Sequence, residues 1–348
     1  MSGLSLAPKI GRGVLRWSVL AASALVIFGA FVLAKGVDPV QMYADIWAST
    51  LGDSAQLQTV LVRFAVLLLA GLAVAVPARA GLLNVGGEGQ IVVGAVAAAG
   101  VALATDQRMS GGVVLLLMVL AAAAAGAAWA AIAGVLRLTV HVNEAISTLL
   151  LNYIAIDLLL FLIYEPWKDA SGFGQPSSRP LAEAARLPLL SGTTVNFGLF
   201  LALAALVAVW WVLRYTSWGF RLRVVGGNPE AARRAGLNVG LLLLSAMLVG
   251  GALAGMAGMV HFAGTELKLR AGMTVTFGYV GFLASWLAGH NPMRVAGAAL
   301  LLAGIAMAGD SLQIDSGLPA AAVNILMAVV LIVVLGRPAL KKLRRSEP

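Results

Sequence analysis

Residues 57–78 read LQTVLVRFAVLLLAGLAVAVPA, an apolar run in which Arg63 is the one charged side chain. A helix that crosses a bilayer needs about 20 predominantly apolar residues, so this run predicts a transmembrane helix. Nine comparable runs lie at 17–34, 86–104, 113–135, 143–163, 196–213, 239–261, 272–288, 294–310 and 319–335. The sequence therefore predicts an all-α membrane protein with about ten transmembrane helices in a single domain over 1–348.

The composition agrees with this fold class. Of the 348 residues, 60% are hydrophobic and 11% are charged, whereas a soluble domain is usually about 45–50% apolar and about 25% charged. The chain has no cysteine, which excludes thiol catalysis and cysteine metal sites. Its three histidines are scattered, and no acid–histidine cluster has metal-ligand or catalytic spacing. We therefore expect no bound metal, no cofactor and no enzymatic activity in this chain.

We attribute the net charge of +9 to an excess of Lys and Arg in cytoplasmic loops, which is usual in membrane proteins. We therefore expect no nucleic acid partner. With a cytoplasmic N-terminus, 16 of the 24 basic residues fall on the cytoplasmic side and 7 fall outside. This bias predicts cytoplasmic N- and C-termini, with tails at 1–16 and 336–348 around a bundle at 17–335. The polar segment 164–195 is then external, and it contains a short amphipathic piece at 181–187.

The predicted cytoplasmic segment 214–238 contains a short helix that lies outside the bilayer. Its signals are an N-cap, a proline at the first position, an acid in the first turn, two basic residues in the last turn and a glycine after the end. These residues are Asn228, Pro229, Glu230, Arg233, Arg234 and Gly236. A rigid helix of this kind suits docking by a partner protein; the alternative is a basic loop that happens to be well capped.

The third predicted span begins with a flexible polar segment, 81–90, which contains four glycines together with Asn84, Glu88 and Gln90. Flexible backbone within a membrane is tolerated where protein or water covers it, as along a translocation path. A tight cytoplasmic turn with an acid at a helix start is the alternative.

The fifth predicted span carries Glu144, Thr148 and Asn152 on one helical face. Polar stripes of this kind either join helices or line a cavity. Arg63 and Asp157 are predicted at similar depths in two spans, which suggests a structural ion pair. A proton relay is the functional alternative.

Spans two to five and seven to ten are predicted to be two inverted repeats, since the second span begins outside and the seventh inside. Each repeat contains a short glycine-rich span, at 86–104 and 272–289, and such pairs point to a substrate path. In the second of these, Phe277 and Tyr279 offer stacking surfaces and hydrogen bonds for a planar polar solute. Aromatic residues at the membrane interface are the alternative.

Three segments resemble the permease subunits of bacterial ABC importers, most of all the nucleoside branch of the group that includes ribose-type and branched-chain amino acid permeases. They are LNVGGEGQ at 83–90, VNEAIST at 142–148 with LNY at 151–153, and GGNPEAARRAG at 226–236. The resemblance covers about 57–335 and implies a multi-pass protein of the bacterial cytoplasmic (inner) membrane that imports a small polar solute. It also implies that 228–236 is the coupling helix.

The resemblance further implies three partner proteins. They are a second permease, usually a different chain, a cytoplasmic ATPase that binds ATP and Mg²⁺, and an external solute-binding lipoprotein. A nucleoside is the expected substrate, and a simple sugar such as ribose is the alternative. A different class, an ion-coupled secondary transporter acting alone, is the competing hypothesis.

Overall fold

The computed structural model describes residues 22, 23, 25–105, 109–171, 174–273, 276–315, 324–329 and 332. These residues are mostly α-helical, as predicted. The helices are α1 (Leu25–Ala34), α2 (Pro39–Leu51), α3 (Ser54–Arg79), α4 (Gly87–Thr105), α5 (Gly111–Thr139), α6 (Glu144–Tyr164), α7 (Gly198–Tyr215), α8 (Ser217–Gly227), α9 (Pro229–Arg234), α10 (Val239–His261), α11 (Phe277–Leu287) and α12 (Pro292–Asp315).

Seven of the described helices are long and apolar enough to cross a membrane, and α1 with α2 adds an eighth if that bent pair counts as one span. The seven are α3, α4, α5, α6, α7, α10 extended to Glu266, and α12 as far as Gly309. The chain is therefore a multi-pass membrane protein. The described residues do not contain the ten separate spans that the hydropathy predicts.

Two local features account for part of this difference. Between α1 and α2 the chain turns by 117°, because Gly36 adopts a φ of +82° and Asp38 caps α2 ahead of Pro39. The predicted span 272–288 contains only α11, whose 11 residues cover about 16 Å of a hydrocarbon core of about 30 Å. The predicted spans 17–34 and 319–335 lie partly outside the described residues.

The chain divides into two compact units. Unit 1 comprises 1–57 and 304–348, and its described core joins Phe28, Val32, Met42 and Leu326. Unit 2 comprises 58–303 and contains all the segments to which we assign a candidate function. The single domain over 1–348 and its boundaries stay a prediction.

Glycines allow α10 to pack closely against α4 and α5 in unit 2. A Cβ on Gly255 would clash with the backbone of Ala122, and one on Gly258 would clash with the carbonyl oxygen of Ile91. Gly126 and Gly251 approach each other in the same way. Close helix contact through small residues is a principal source of packing energy where lipid provides no hydrophobic drive.

The segment after α6 is fastened to the segment after α10. The Ser178 N–H donates to the Leu269 carbonyl oxygen (2.9 Å), and the Leu181 N–H donates to that of Leu267 (2.7 Å). Within the amphipathic piece predicted at 181–187, Glu183–Ala185 form a single 3₁₀ turn. After His261, α10 continues as a π-helical turn over Phe262–Glu266.

Candidate functional site

The segment between α3 and α4 does not form a helix, and buried residues alternate with exposed ones along it. It begins at Gly81, whose φ of +79° favours glycine. Leu82 and Asn84 are buried. Because buried backbone groups need hydrogen-bond partners, the contacts of this segment decide whether it is stable there.

One face of α6 supplies those partners. The acceptors are Glu144, Thr148 and Asn152, which share a face as predicted and are all buried. The bonds run from Leu83 N–H to Glu144 Oε1 (3.0 Å), from Val85 N–H to Thr148 Oγ1 (3.2 Å) and from Gly89 N–H to Asn152 Oδ1 (2.8 Å). The geometry thus gives this polar stripe a structural role. Its lining of a path stays a prediction.

The start of α4 packs beside the middle of α6, not beside its first turn. Asn152 follows Glu144 by eight residues, which corresponds to about 12 Å along the helix axis. The Asn152 Nδ2 donates to the Val85 carbonyl oxygen (3.1 Å), so the chain just before α4 lies at that depth. Irregular backbone inside a membrane protein is tolerated when protein covers it, and α6 covers one side of this segment.

Asn84 and Gln90 form a reciprocal amide pair. The Asn84 Nδ2 donates to Gln90 Oε1 (3.0 Å), and the Gln90 Nε2 donates to Asn84 Oδ1 (2.9 Å). Asn84 Oδ1 also accepts the Gly86 N–H (3.1 Å). The two amides therefore fix the turn that leads into α4.

Glu88 joins the N-terminus of α4 to that of α11. Its Oε1 accepts the Thr276 N–H (3.1 Å), and its Oε2 accepts the Gly278 N–H (2.7 Å). The carboxylate thus satisfies N–H groups at the positive end of α11. Backbones also approach closely here, because a Cβ on Gly278 would clash with the backbone nitrogen of Glu88.

The two predicted aromatic residues of α11 lie at different positions. Tyr279 is 37% exposed, and its hydroxyl accepts a hydrogen bond from Asn152 Nδ2 (3.3 Å). It is thus the exposed end of a buried polar network. Phe277 is half-buried and packs on His261, with the ring centroids 4.6 Å apart.

The predicted two-turn helix is confirmed as α9. Asn228 Oδ1 accepts the N–H groups of Glu230 and Ala231 (3.0 Å each), and Pro229 occupies the first helical position. The Glu230 carboxylate lies 3.4 Å from Arg233 and 3.3 Å from Arg234. Gly236 follows with a φ of +79°. All of these side chains are exposed, so α9 is accessible to a partner; its docking role stays a prediction.

Asp157 is exposed on α6, and its ion pair with Arg63 stays a prediction. A charged pair that the structure does contain joins Arg137 at the end of α5 to the buried Glu144. The sequence signal for this pair was a basic residue in the last turn of α5 followed by an acidic residue in the first turn of α6. The contacts that Thr276 and Gly278 make with Glu88 had no local signal in the sequence.

Residues 56–335 match the family described as "Branched-chain amino acid transport system / permease component". The chain is 36% identical over 338 residues to the glucose ABC transporter permease protein TsgB13 of Haloferax volcanii, an alignment that covers 94% of this chain and 88% of that protein.

Two other relatives have names that refer to nucleosides. The guanosine ABC transporter permease protein NupP of Bacillus subtilis is 32% identical over 329 residues, which cover 92% of this chain and 91% of NupP. The nucleoside ABC transporter permease protein NupB of Lactococcus lactis is 28% identical over 340 residues, which cover 92% of each chain.

Proposed function

Because the chain belongs to the family of branched-chain amino acid transport system permease components, we propose that it forms the nucleoside path of an ATP-driven importer. The protein is an ABC transporter permease, and its multi-pass fold agrees with that role. Its location is the bacterial cytoplasmic (inner) membrane. The N- and C-termini face the cytoplasm, as the distribution of Lys and Arg supports.

The observation that carries the proposal is the meeting of the N-termini of α4 and α11 inside unit 2. Glu88 bridges them, and Asn152 extends the same network to Tyr279. Transporters commonly bind their substrates where discontinuous helices end within the membrane. The same pairing supports an assignment of α4 and α11 to corresponding positions of two inverted repeats.

The substrate proposal depends on the exposed end of this network. A nucleoside presents a flat base and several hydroxyl groups, and the Tyr279 ring supplies an apolar face with a polar tip. Relatives named for guanosine and for nucleosides support this substrate class. The relative named for glucose supports a second candidate, a simple sugar.

The proposed energy source is a cytoplasmic ATPase that binds ATP and Mg²⁺ and docks on α9. The exposed, capped helix with two arginines in its last turn supports this role, since its residues are rigid and accessible. A second permease, a different chain, completes the path. An external solute-binding lipoprotein delivers the nucleoside to the segments 164–195 and 262–271.

Reconstitution into proteoliposomes tests the proposal. The chain is co-purified with the ATPase and second permease encoded by neighbouring genes, and uptake of radiolabelled guanosine is followed with the external lipoprotein added. We expect uptake that needs both ATP and the lipoprotein and that persists with a protonophore.

Uptake by the purified chain alone, abolished by a protonophore and independent of ATP, would instead establish a secondary transporter. The substrate is decided in the same preparation by competition. Excess unlabelled guanosine should suppress uptake whereas excess glucose or ribose should not, and the reverse pattern would favour the sugar.

A further inference from the structure

The last turn of α3 meets the ends of α8 and α11 in unit 2, on the side that we assign to the cytoplasm. Helix α11 packs closely on α3, because a Cβ on Gly281 would lie 2.5 Å from the Cβ of Ala70. At the end of α8, a Cβ on Gly226 would clash with the carbonyl oxygen of Arg79. Three helix ends therefore converge around Arg79.

Three basic side chains gather at this junction, and we name them the basic cluster: Arg79, Arg223 and His290. Burial, and then the charge of Arg79, lower the pKa of His290, so these two side chains lie within electrostatic reach of each other. Arg223 on α8 lies within electrostatic reach of Arg79 as well. Arg79 and His290 are half-buried, and Arg223 is exposed. Because like charges repel, this arrangement favours a negative charge at the junction.

The chain supplies no acidic residue there. No Asp or Glu occurs in the segments that form the junction, 77–82, 217–227 and 277–294. Within the described part of the chain, the ion pairs include neither arginine of the basic cluster. By contrast Arg137, which is half-buried as Arg79 is, pairs with Glu144. The charge of Arg79 is therefore left without the kind of partner that the fold gives to a similar residue.

Two buried N–H groups at the same junction have no acceptor. Among the side chains that the structure describes, Arg79 Nε and Trp286 Nε1 are buried and form no hydrogen bond. Trp286 packs edge-on against His290, with the ring centroids 5.0 Å apart, so both groups lie beside the basic cluster. Arg and Trp side chains can only donate. Because buried polar groups are normally satisfied, these two require an acceptor from outside the chain.

We propose that the basic cluster binds a phosphate group between the ends of α3, α8 and α11. Arg79 and the Trp286 N–H donate to different phosphate oxygens, and Arg223 balances negative charge from the solvent side. Phosphate suits these partners because it presents several acceptor oxygens, which arginine binds with a defined geometry. A carboxylate on the surface of a protein would reach Arg223 but not the two buried N–H groups.

A phosphate group at this level has two sources. One is the headgroup of an anionic phospholipid in the cytoplasmic leaflet, since basic sites between helix ends bind such headgroups. The other is a soluble phosphate ion of the cytoplasm. The inference goes beyond the proposed function and does not depend on which solute the protein transports.

Thermal unfolding of the full-length chain, delipidated in a neutral detergent, tests the proposal. The ATPase is left out because it would itself bind phosphate. Inorganic phosphate is titrated against sodium chloride of equal ionic strength, and phosphatidylglycerol against phosphatidylcholine. A ligand of the native state raises the melting temperature by mass action, so we expect a saturable rise. A rise with inorganic phosphate identifies a soluble ion, and a rise with phosphatidylglycerol alone identifies a lipid headgroup.

Three substitutions remove the binding groups one at a time. Arg79→Gln and Arg223→Gln each remove a charge, and Trp286→Phe removes the N–H while it keeps an aromatic ring. Each should raise the apparent Kd of the probe, by about ten-fold for Arg79→Gln. Arg221→Gln is the matched control, because Arg221 is also exposed on α8 but lies two positions from Arg223, on a nearly opposite face of the helix. It should bind the probe as wild type does.

Trp286→Phe separates ligand binding from a purely structural role. It removes a buried donor that has no acceptor in the described structure, so the melting temperature without probe should not fall, whereas the response to the probe should weaken. A wild-type response in both Trp286→Phe and Arg223→Gln, or equal responses of Arg221→Gln and Arg223→Gln, would overturn the proposal. So would the absence of any response of wild type to inorganic phosphate and phosphatidylglycerol, or equal responses to the two lipids without one to inorganic phosphate.

Discussion

The carboxylate of Glu88 accepts the backbone N–H of Gly278 at 2.7 Å, across 190 positions of sequence. This contact joins the first turn of α4 to the first turn of α11. A charged acceptor at a helix N-terminus is stronger than a neutral one, since the aligned peptide dipoles favour negative charge there. The charge of Glu88 therefore has an identifiable structural function, from which the first prediction follows.

Glu88→Gln should weaken the junction of α4 and α11 without creating a cavity. One amide oxygen replaces two carboxylate oxygens, so one of the N–H groups of Thr276 and Gly278 loses its acceptor. We expect a loss of about 1–3 kcal/mol in stability and reduced uptake, measured by thermal unfolding and guanosine transport. Glu165→Gln, at an exposed position after α6, is the matched control. Wild-type stability in Glu88→Gln would contradict the role of the charge.

Gly278→Ala should separate the same two helix ends by steric contact. The new Cβ would lie 2.5 Å from the carbonyl carbon of Gly87 and 2.6 Å from the Cα of Glu88, too close for either backbone to remain in place. We expect destabilisation of about 1–3 kcal/mol. Gly297→Ala in α12 is the control, because nothing lies within 4 Å of its added Cβ. Equal thermal stabilities of the two variants would show that the close approach is not required.

Reversal of charge on α9 should uncouple the ATPase from transport. In Arg233→Glu with Arg234→Glu, three acids replace a pattern in which Glu230 pairs with both arginines. We expect membrane insertion to be normal, while uptake is lost and the ATPase no longer responds to the external lipoprotein. Arg221→Glu, an exposed position on α8, controls for charge. Wild-type uptake in the double variant would contradict the coupling role.

Sequence patterns predicted those features that local interactions determine. Asn228 and Pro229 define the start of α9 within one turn, so the helix could be read from adjacent residues. The shared face of Glu144, Thr148 and Asn152 follows from helical periodicity alone. The partner of that face could not be predicted, because the three residues bind backbone N–H groups more than 60 positions earlier.

Hydropathy was less informative about the course of the chain. An apolar run reports which residues avoid water, and it has the same composition whether the helix crosses the membrane or ends halfway. The residues 272–288 illustrate this, since α11 begins only at Phe277 and is held at its start by Glu88. The bend between α1 and α2 depends on the positive φ of Gly36, and a hydropathy average contains no information about backbone conformation.

His290 should make the protein less stable in mild acid. Burial, and secondly the nearby charge of Arg79, lower the pKa of His290 below its ordinary value of 6.5. A base whose pKa is lowered on folding contributes stability that is complete above the unfolded pKa and is lost as pH falls through the folded one. We expect the melting temperature to fall between pH 7.5 and 5, and this fall to be smaller in His290→Asn.

Asparagine suits this test because His290 has a φ of +57°, a conformation that asparagine tolerates. His141→Asn is the matched control, since His141 is exposed and has a φ of +59°. It should leave the pH dependence unchanged. If both variants lose the acid-induced fall equally, or neither does, burial of His290 is not its cause.

Tyr279 should distinguish stacking from hydrogen bonding in the candidate path. Tyr279→Phe keeps the ring and removes only the hydroxyl that accepts from Asn152 Nδ2 at 3.3 Å. Because Asn152 Nδ2 still donates to the Val85 carbonyl oxygen, we expect the network to persist and uptake to fall about two- to five-fold, as for the loss of one modest hydrogen bond. Tyr279→Leu removes the stacking surface as well and should reduce guanosine uptake about ten-fold further. Phe161→Leu, at an exposed aromatic position of α6, controls for loss of an exposed ring. If Tyr279→Leu transports guanosine as well as Tyr279→Phe does, the ring does not contact the base, and a sugar would become the better substrate candidate.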